Sequence, residues 1–235
     1  MSSEQEFAIV MLLLIVLNGL FSFAAPVGPQ QEYSSTESAS ERSAMLLNTS
    51  GGSLTTLVLN GSTQNLGWKA YVGNISGKLV LADGDNYSVF EWELAAAQGE
   101  VYATRKSSSV TWSGISCAVE AQVDTEDTAM NKASSDVDSI KSTFSNTTHN
   151  EFYTGTKHFS SDDCGYTTAT YVDSSVQYSK FQEVLLYDGS YLVYTALIEN
   201  ATRGFDNSTY DFQMIVAEDD TKSTNTGYYF YVELG

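Results

Sequence analysis

Residues 185–194 read LLY-DGS-YLVY, an apolar run, a short polar turn and a second apolar run. Asp188-Gly189 supplies the residue types that a type I′ turn requires. That turn matches the right-handed twist of paired strands, so the segment predicts a β-hairpin. The same grammar recurs along most of the chain. Short runs alternating with period two, rich in β-branched and aromatic residues, lie at 54–59, 68–72, 78–81, 88–94, 100–104 and 115–123. A second series lies at 168–178, 181–187, 191–198, 210–216 and 228–234. Turn residues such as Asn60-Gly61, Asp83-Gly84-Asp85-Asn86 and Asp206-Asn207 separate them. One stretch breaks the pattern. Met130, Ala133, Val137, Ile140 and Phe144 recur at helical spacing, which predicts one amphipathic helix over 125–145, with Thr125 as its cap. The sequence therefore predicts a mainly β fold. Its form is an antiparallel β-sandwich of about ten strands, with that helix and an N-terminal hydrophobic helix.

The N-terminus predicts the compartment. Residues 7–17, FAIVMLLLIVL, are consecutively apolar, and the character resumes over 20–25. Two readings stand side by side. In one, 1–27 contains a secretory signal with small residues before a cleavage point after Ala24. In the other, 7–27 is retained and meets the membrane as a span of about 21 residues. Glu4 and Glu6 precede the run without Lys or Arg, so charge gives no orientation. Both readings export the remainder to the cell surface or beyond. The Ser- and Gln-rich stretch 28–45 reads as a flexible spacer, and 46–235 as a single domain.

Composition agrees with export. Asp and Glu number 29 against 11 Lys and Arg, a net charge of −18, and that sign repels phosphate, so nucleic acid is not an expected partner. Two Cys and two His are too few for an intracellular zinc or iron–sulfur centre. In an oxidising compartment Cys117 and Cys164 are expected to pair, closing a loop of 47 residues and adding roughly 3–4 kcal/mol by loop entropy. Seven glycosylation sequons begin at Asn48, Asn60, Asn74, Asn86, Asn146, Asn200 and Asn207. Ser and Thr total 54, so roughly three or four sequons would arise by chance, and seven is an excess.

Catalytic patterns are sparse. His149 and His158 are the two imidazoles, no Gly-x-Ser-x-Gly turn occurs, and no triad is expected. His158 with Asp162, Asp163 and Cys164 reads better as an exposed loop with a disulfide cysteine than as a metal site. Carboxylates pair at Glu91/Glu93, Asp162/Asp163 and Asp219/Asp220. On a strand, Glu91 and Glu93 share one face and Trp92 takes the other, which separates acids from a sugar-stacking ring. No enzyme activity and no cofactor are expected, with Ca²⁺ held between clustered carboxylates of the acidic domain as the alternative. Asp83 and Asp85 have the close oxygen spacing of a Ca²⁺ loop but lack its later positions, so they read first as a turn.

WKAYVGNISG at 68–77, with KLVLAD at 78–83, YDFQMIV at 210–216 and YYFYVEL at 228–234, resembles segments of archaeal exported surface proteins. The resemblance implies an envelope or extracellular setting and a β-rich fold. Glu6 ahead of an apolar helix also resembles the start of a type IV pilin, although the basic-plus-Gly processing site upstream is absent. Two functions follow as expectations. The first is a non-catalytic surface protein that self-associates into a sheath, layer or filament. Its motive is the strand at 228–234, apolar on both faces, which is either central in a sheet or completed by strand addition, with the polar stretch before Leu54 as donor arm. The second is an anchored glycan-binding or adhesin module, with Trp68, Trp92 and Trp112 lining a sugar face.

Overall fold

The computed structural model describes residues 25–40, 43–94 and 97–235. In chain order its elements are β1 (Trp68–Gly73), β2 (Lys78–Ala82), β3 (Ser88–Glu93), β4 (Gly99–Thr104), β5 (Ser116–Cys117), α1 (Glu120–Ala129) and α2 (Ile140–Thr143). There follow β6 (Phe152–Thr154), β7 (Lys157–Phe159), β8 (Thr167–Ala169), β9 (Gln182–Tyr187), β10 (Leu192–Leu197), β11 (Thr202–Arg203), β12 (Thr209–Tyr210), β13 (Phe212–Ala217) and β14 (Tyr229–Leu234). The fold is mainly β, and the pairings are antiparallel.

The predicted hairpin is β9–β10, and it forms the centre of a six-stranded sheet ordered β14-β4-β10-β9-β5, with β8 also on β9. Its turn differs in detail from the expectation. Asp188 N–H bonds the Tyr191 carbonyl, so Gly189 and Ser190 are the central pair. A positive φ at Gly189 (93°) and none at Ser190 is the pattern of a type II′ turn. Asp188 instead flanks it, accepting the Ser190 and Tyr191 N–H groups at 3.0 and 2.9 Å.

β10 is buried at every position because the sheet is covered on both faces. Val101, Ala103, Leu185, Tyr194 and Ala196 point into one core with Met214 and Val216 of β13 and Ile140 and Phe144 of the helical segment. Tyr102, Val184, Leu186, Val193 and Leu197 point into a second core with Phe152 and Phe159 of β6–β7 and Trp112. Each buried aliphatic side chain contributes roughly 1.5–3 kcal/mol. β1 and β13 pair as a separate ribbon over the first face.

Four expectations need correction. The segment 115–123 is strand only at Ser116–Cys117, then turns into α1, which begins five residues ahead of the predicted cap. The single helix is two short ones. Asn131 takes a left-handed φ of 55°, ending the first, and Val137, expected on the apolar face, is 96% exposed. The buried Asp127 carboxylate then accepts the Ile140 and Lys141 N–H groups at 2.6 and 3.3 Å, starting α2. The segment 54–59 is exposed and irregular, because no neighbouring strand meets it among the described residues. The segment 168–178 holds strand only to Ala169. The expected N-terminal hydrophobic helix lies outside the described residues.

Cys117 and Cys164 are disulfide-bonded, with Cα atoms 5.2 Å apart. The bond joins β5 to the approach to β8, and these two strands share the same edge of β9. Buried His149 stands beside it. Its Nε2 accepts the Cys164 N–H at 3.0 Å, so Nδ1 carries the proton and donates it to the Asn150 carbonyl at 2.7 Å.

Candidate functional site

The terminal strand, β14, explains its own sequence. Tyr228, Phe230 and Val232 pack in the first core, while Tyr231 packs on Trp112 in the second. A strand between two cores is apolar on both faces. Laterally, however, β14 is the edge of the sheet, with β4 on its inner side. On its outer side Val27 makes a two-bond bridge to Val232, N–H to carbonyl at 3.0 and 2.8 Å in the two directions. By the pleat alternation, Phe230 and Leu234 turn their backbone groups the same way as Val232.

On its inner side β14 carries the least expected group in the molecule. Glu233 stands opposite Glu100 of β4, and both carboxyls are buried. The Tyr102 hydroxyl lies 3.0 Å from Glu233 Oε2 and 3.4 Å from Glu100 Oε2. It also lies 3.3 Å from both the Tyr153 carbonyl and Thr154 Oγ1. Glu233 accepts the Gly155 N–H at 2.9 Å on each oxygen, and Glu100 Oε1 faces the Tyr153 N–H at 3.4 Å. Burial first, then the neighbouring Glu233 charge, push Glu100 up to about 8, and burial raises Glu233 as well. Burial and the two carboxylates hold the Tyr102 hydroxyl well above its ordinary value. The cluster therefore retains a proton at neutral pH, and it ties the end of β14 to β4 and to the β6–β7 turn. Sequence spacing gives no sign of it, because 133 positions separate the two acids (233 minus 100). A further buried acid, Glu183, accepts the Ile215 N–H at 2.9 Å through Oε2 and leaves Oε1 unpartnered. Burial raises it well above the carboxylate range.

The β2–β3 hairpin starts next to the end of β14. Leu234 packs against Gly77, the residue before β2. Both strands are exposed throughout. Their register puts Leu79 opposite Trp92 and Leu81 opposite Phe90, which share one face, with the Phe90 and Trp92 ring centroids 4.8 Å apart. Lys78, Val80, Glu91 and Glu93 take the other face, where Lys78 pairs with Glu91.

The remaining predicted residues fall as follows. Asp83 Oδ1 accepts the Asp85 and Tyr87 N–H groups at 3.0 and 2.9 Å, so this carboxylate closes the hairpin turn. Among the described residues no cluster of three or more His, Cys, Asp or Glu has the geometry of a metal site. His158 pairs with Glu151 at 3.2 Å, while Asp162 and Asp163 accept the backbone N–H groups of His149 and Ser160. Asp219 pairs with Lys222, and Asp220 is exposed. Trp68 stacks on Phe144 and Trp112 meets Tyr231 edge-on, each at a core, and Trp92 alone of the three is about half exposed. Asn48, Asn60, Asn74, Asn86, Asn200 and Asn207 are exposed, but Asn146 Nδ2 is buried without a partner. No helix among the described residues is long and apolar enough to cross a membrane, and most of the 7–27 segment precedes them. A shallow recess lined by Gln122, Glu126, Tyr187 and Tyr191 lies between α1 and β9–β10. Its carboxylate, Glu126, is already held by Arg105 in a two-pronged pair at 2.6 and 2.7 Å.

Comparison with protein-family models, with curated proteins and with solved structures returns no match.

Proposed function

We propose that the chain is a non-catalytic, exported surface protein whose β-sandwich domain self-associates by strand addition at β14. The observation that carries the reading is the outer edge of β14, engaged by this chain's own Val27 through a single bridge. An arm that reaches its own edge strand through one bridge can make the identical contact on a neighbour. Exchange then costs little because the bonds broken and made are the same. Residues 25–45 are the donor arm and β14 is the acceptor. Repeated head to tail, this contact is heterologous and propagates into a layer or filament. The archaeal-envelope resemblance and the acidic, hydroxyl-rich composition fit an extracellular setting, in which charge of one sign keeps unassembled copies apart.

The test is the state of association of the purified full-length chain as its concentration is raised, followed by sedimentation velocity and negative-stain imaging. The reading expects larger species that share one repeat. It fails if the chain stays monomeric throughout.

A further inference from the structure

The β2–β3 hairpin is built in a way that water alone does not reward. A lone two-stranded hairpin is marginally stable in water, and this one has an uncharged apolar face, Leu79, Leu81, Phe90 and Trp92, with no layer over it among the described residues. Its opposite face carries the charges, Lys78, Glu91 and Glu93. The hairpin is thus amphipathic across its thickness, and its covered side has yet to be supplied.

Two features of the fold select the cover. The first is where the chain enters. Val27 is bonded to Val232 and runs antiparallel to β14, so residues 26 and 25 lead towards Leu234. Leu234 packs on Gly77 at the root of β2. Two extended residues span about 7 Å, so residue 25, which follows the apolar stretch 7–24 in the sequence, lies near the base of this hairpin. The second is area. The four side chains are each about half exposed, which leaves on the order of 400 Å² of apolar surface. A standard protein interface needs about 800 Å² per partner together with shape complementarity. A fluid lipid surface needs neither. Indole and phenyl rings at the centre of the face suit the interfacial layer of a bilayer.

We infer, on the reading in which residues 7–27 are retained as a membrane span, that the β2–β3 hairpin lies flat on the lipid bilayer, its Leu79, Leu81, Phe90 and Trp92 face in the interfacial layer. The tip carboxylates Asp83 and Asp85 and the sequon Asn86 stay in water, since the contact is made by the face and not by the turn. The chain's net charge of −18 makes the preferred surface an uncharged or zwitterionic one. The contact does not depend on self-association, and a monomer makes it equally well.

The full-length chain is incorporated into vesicles of phosphatidylcholine, with and without brominated acyl chains, and tryptophan quenching is read. Trp68 and Trp112 are packed at the cores, so the lipid-dependent signal belongs to Trp92. Quenching is expected in the wild type and is largely lost in Trp92→Phe. It falls severalfold in the double variant Leu79→Ser and Leu81→Ser, and stays unchanged in Val80→Ser on the opposite face. Replacing a third of the lipid by an anionic one weakens quenching at low salt, and added salt restores it. Equal quenching in the wild type and Trp92→Phe overturns the inference. So does a Trp92 environment that becomes apolar with rising protein concentration in the absence of lipid, because a second copy would then be the cover. The variants' circular dichroism, matched to the wild type, shows that the fold is retained.

Discussion

Glu100 and Glu233 sit opposite one another in the β4–β14 ladder, both nearly sealed from solvent, with the Tyr102 hydroxyl reaching each of them. Two acids at one buried position make the attachment of the terminal strand depend on a proton. Burial and the Glu233 charge raise Glu100 from 4.5 to about 8 in the folded protein. Between those values the folded chain keeps a proton that the unfolded chain has released. This contribution to stability is therefore complete below about pH 4.5 and is lost as pH rises towards 8.

Glu100→Gln keeps the shape and removes the titration. Relative to this variant, the wild type should lose stability between about pH 5 and 8, with a slope approaching about 1.4 kcal/mol per pH unit. Urea midpoints across that range measure it. Parallel pH profiles for the two proteins would contradict the assignment.

The disulfide holds β5 and β8 on the same edge of β9. Cys117→Ser together with Cys164→Ser should cost roughly 3–4 kcal/mol, read as a lower denaturant midpoint, through the 47-residue loop it releases. A loss below about 1 kcal/mol would show that the β9 edge is held by other contacts.

Asp127 fixes the break between the helices. Asp127→Ala leaves the buried Ile140 N–H without its 2.6 Å acceptor and should destabilise the domain by about 1–3 kcal/mol. Asp127→Asn, which keeps an oxygen in place, should recover part of that loss.

Asn146 is predicted to be the sequon that carries no glycan. Its Oδ1 accepts the Thr147 and Thr148 N–H groups, and its Nδ2 is buried. Peptide mapping of the native protein should find residue 146 unmodified even where exposed sequons such as Asn60 are occupied. A glycan at Asn146 would contradict this placement.

What the sequence made legible follows the range of the interactions. The β9–β10 hairpin was readable because its apolar runs and turn are contiguous, and only the turn type shifted, with Gly189 rather than Asp188 taking the positive φ. Local periodicity misled over 125–145, because the event that splits the helix is a contact between Asp127 and Ile140 across the loop. The β6–β7 hairpin was missed since its strands are three residues each, and Phe152 and Phe159 reveal themselves only by stacking at 4.8 Å. The alternation of β2 and β3 was legible, but nothing local says that no layer covers them among the described residues. The Glu100–Glu233 pair was invisible for the same reason, since only the pairing of β4 with β14 brings it together.

Self-association at β14 is tested most directly by comparing wild type with Val27→Pro in sedimentation velocity at rising concentration. Proline at 27 removes the N–H that bonds the Val232 carbonyl and leaves the β4–β14 ladder untouched. The account predicts concentration-dependent assemblies of the wild type and monomers of Val27→Pro with near-native stability. Assemblies that form equally well with Val27→Pro, or a wild type that never leaves the monomer, would contradict it.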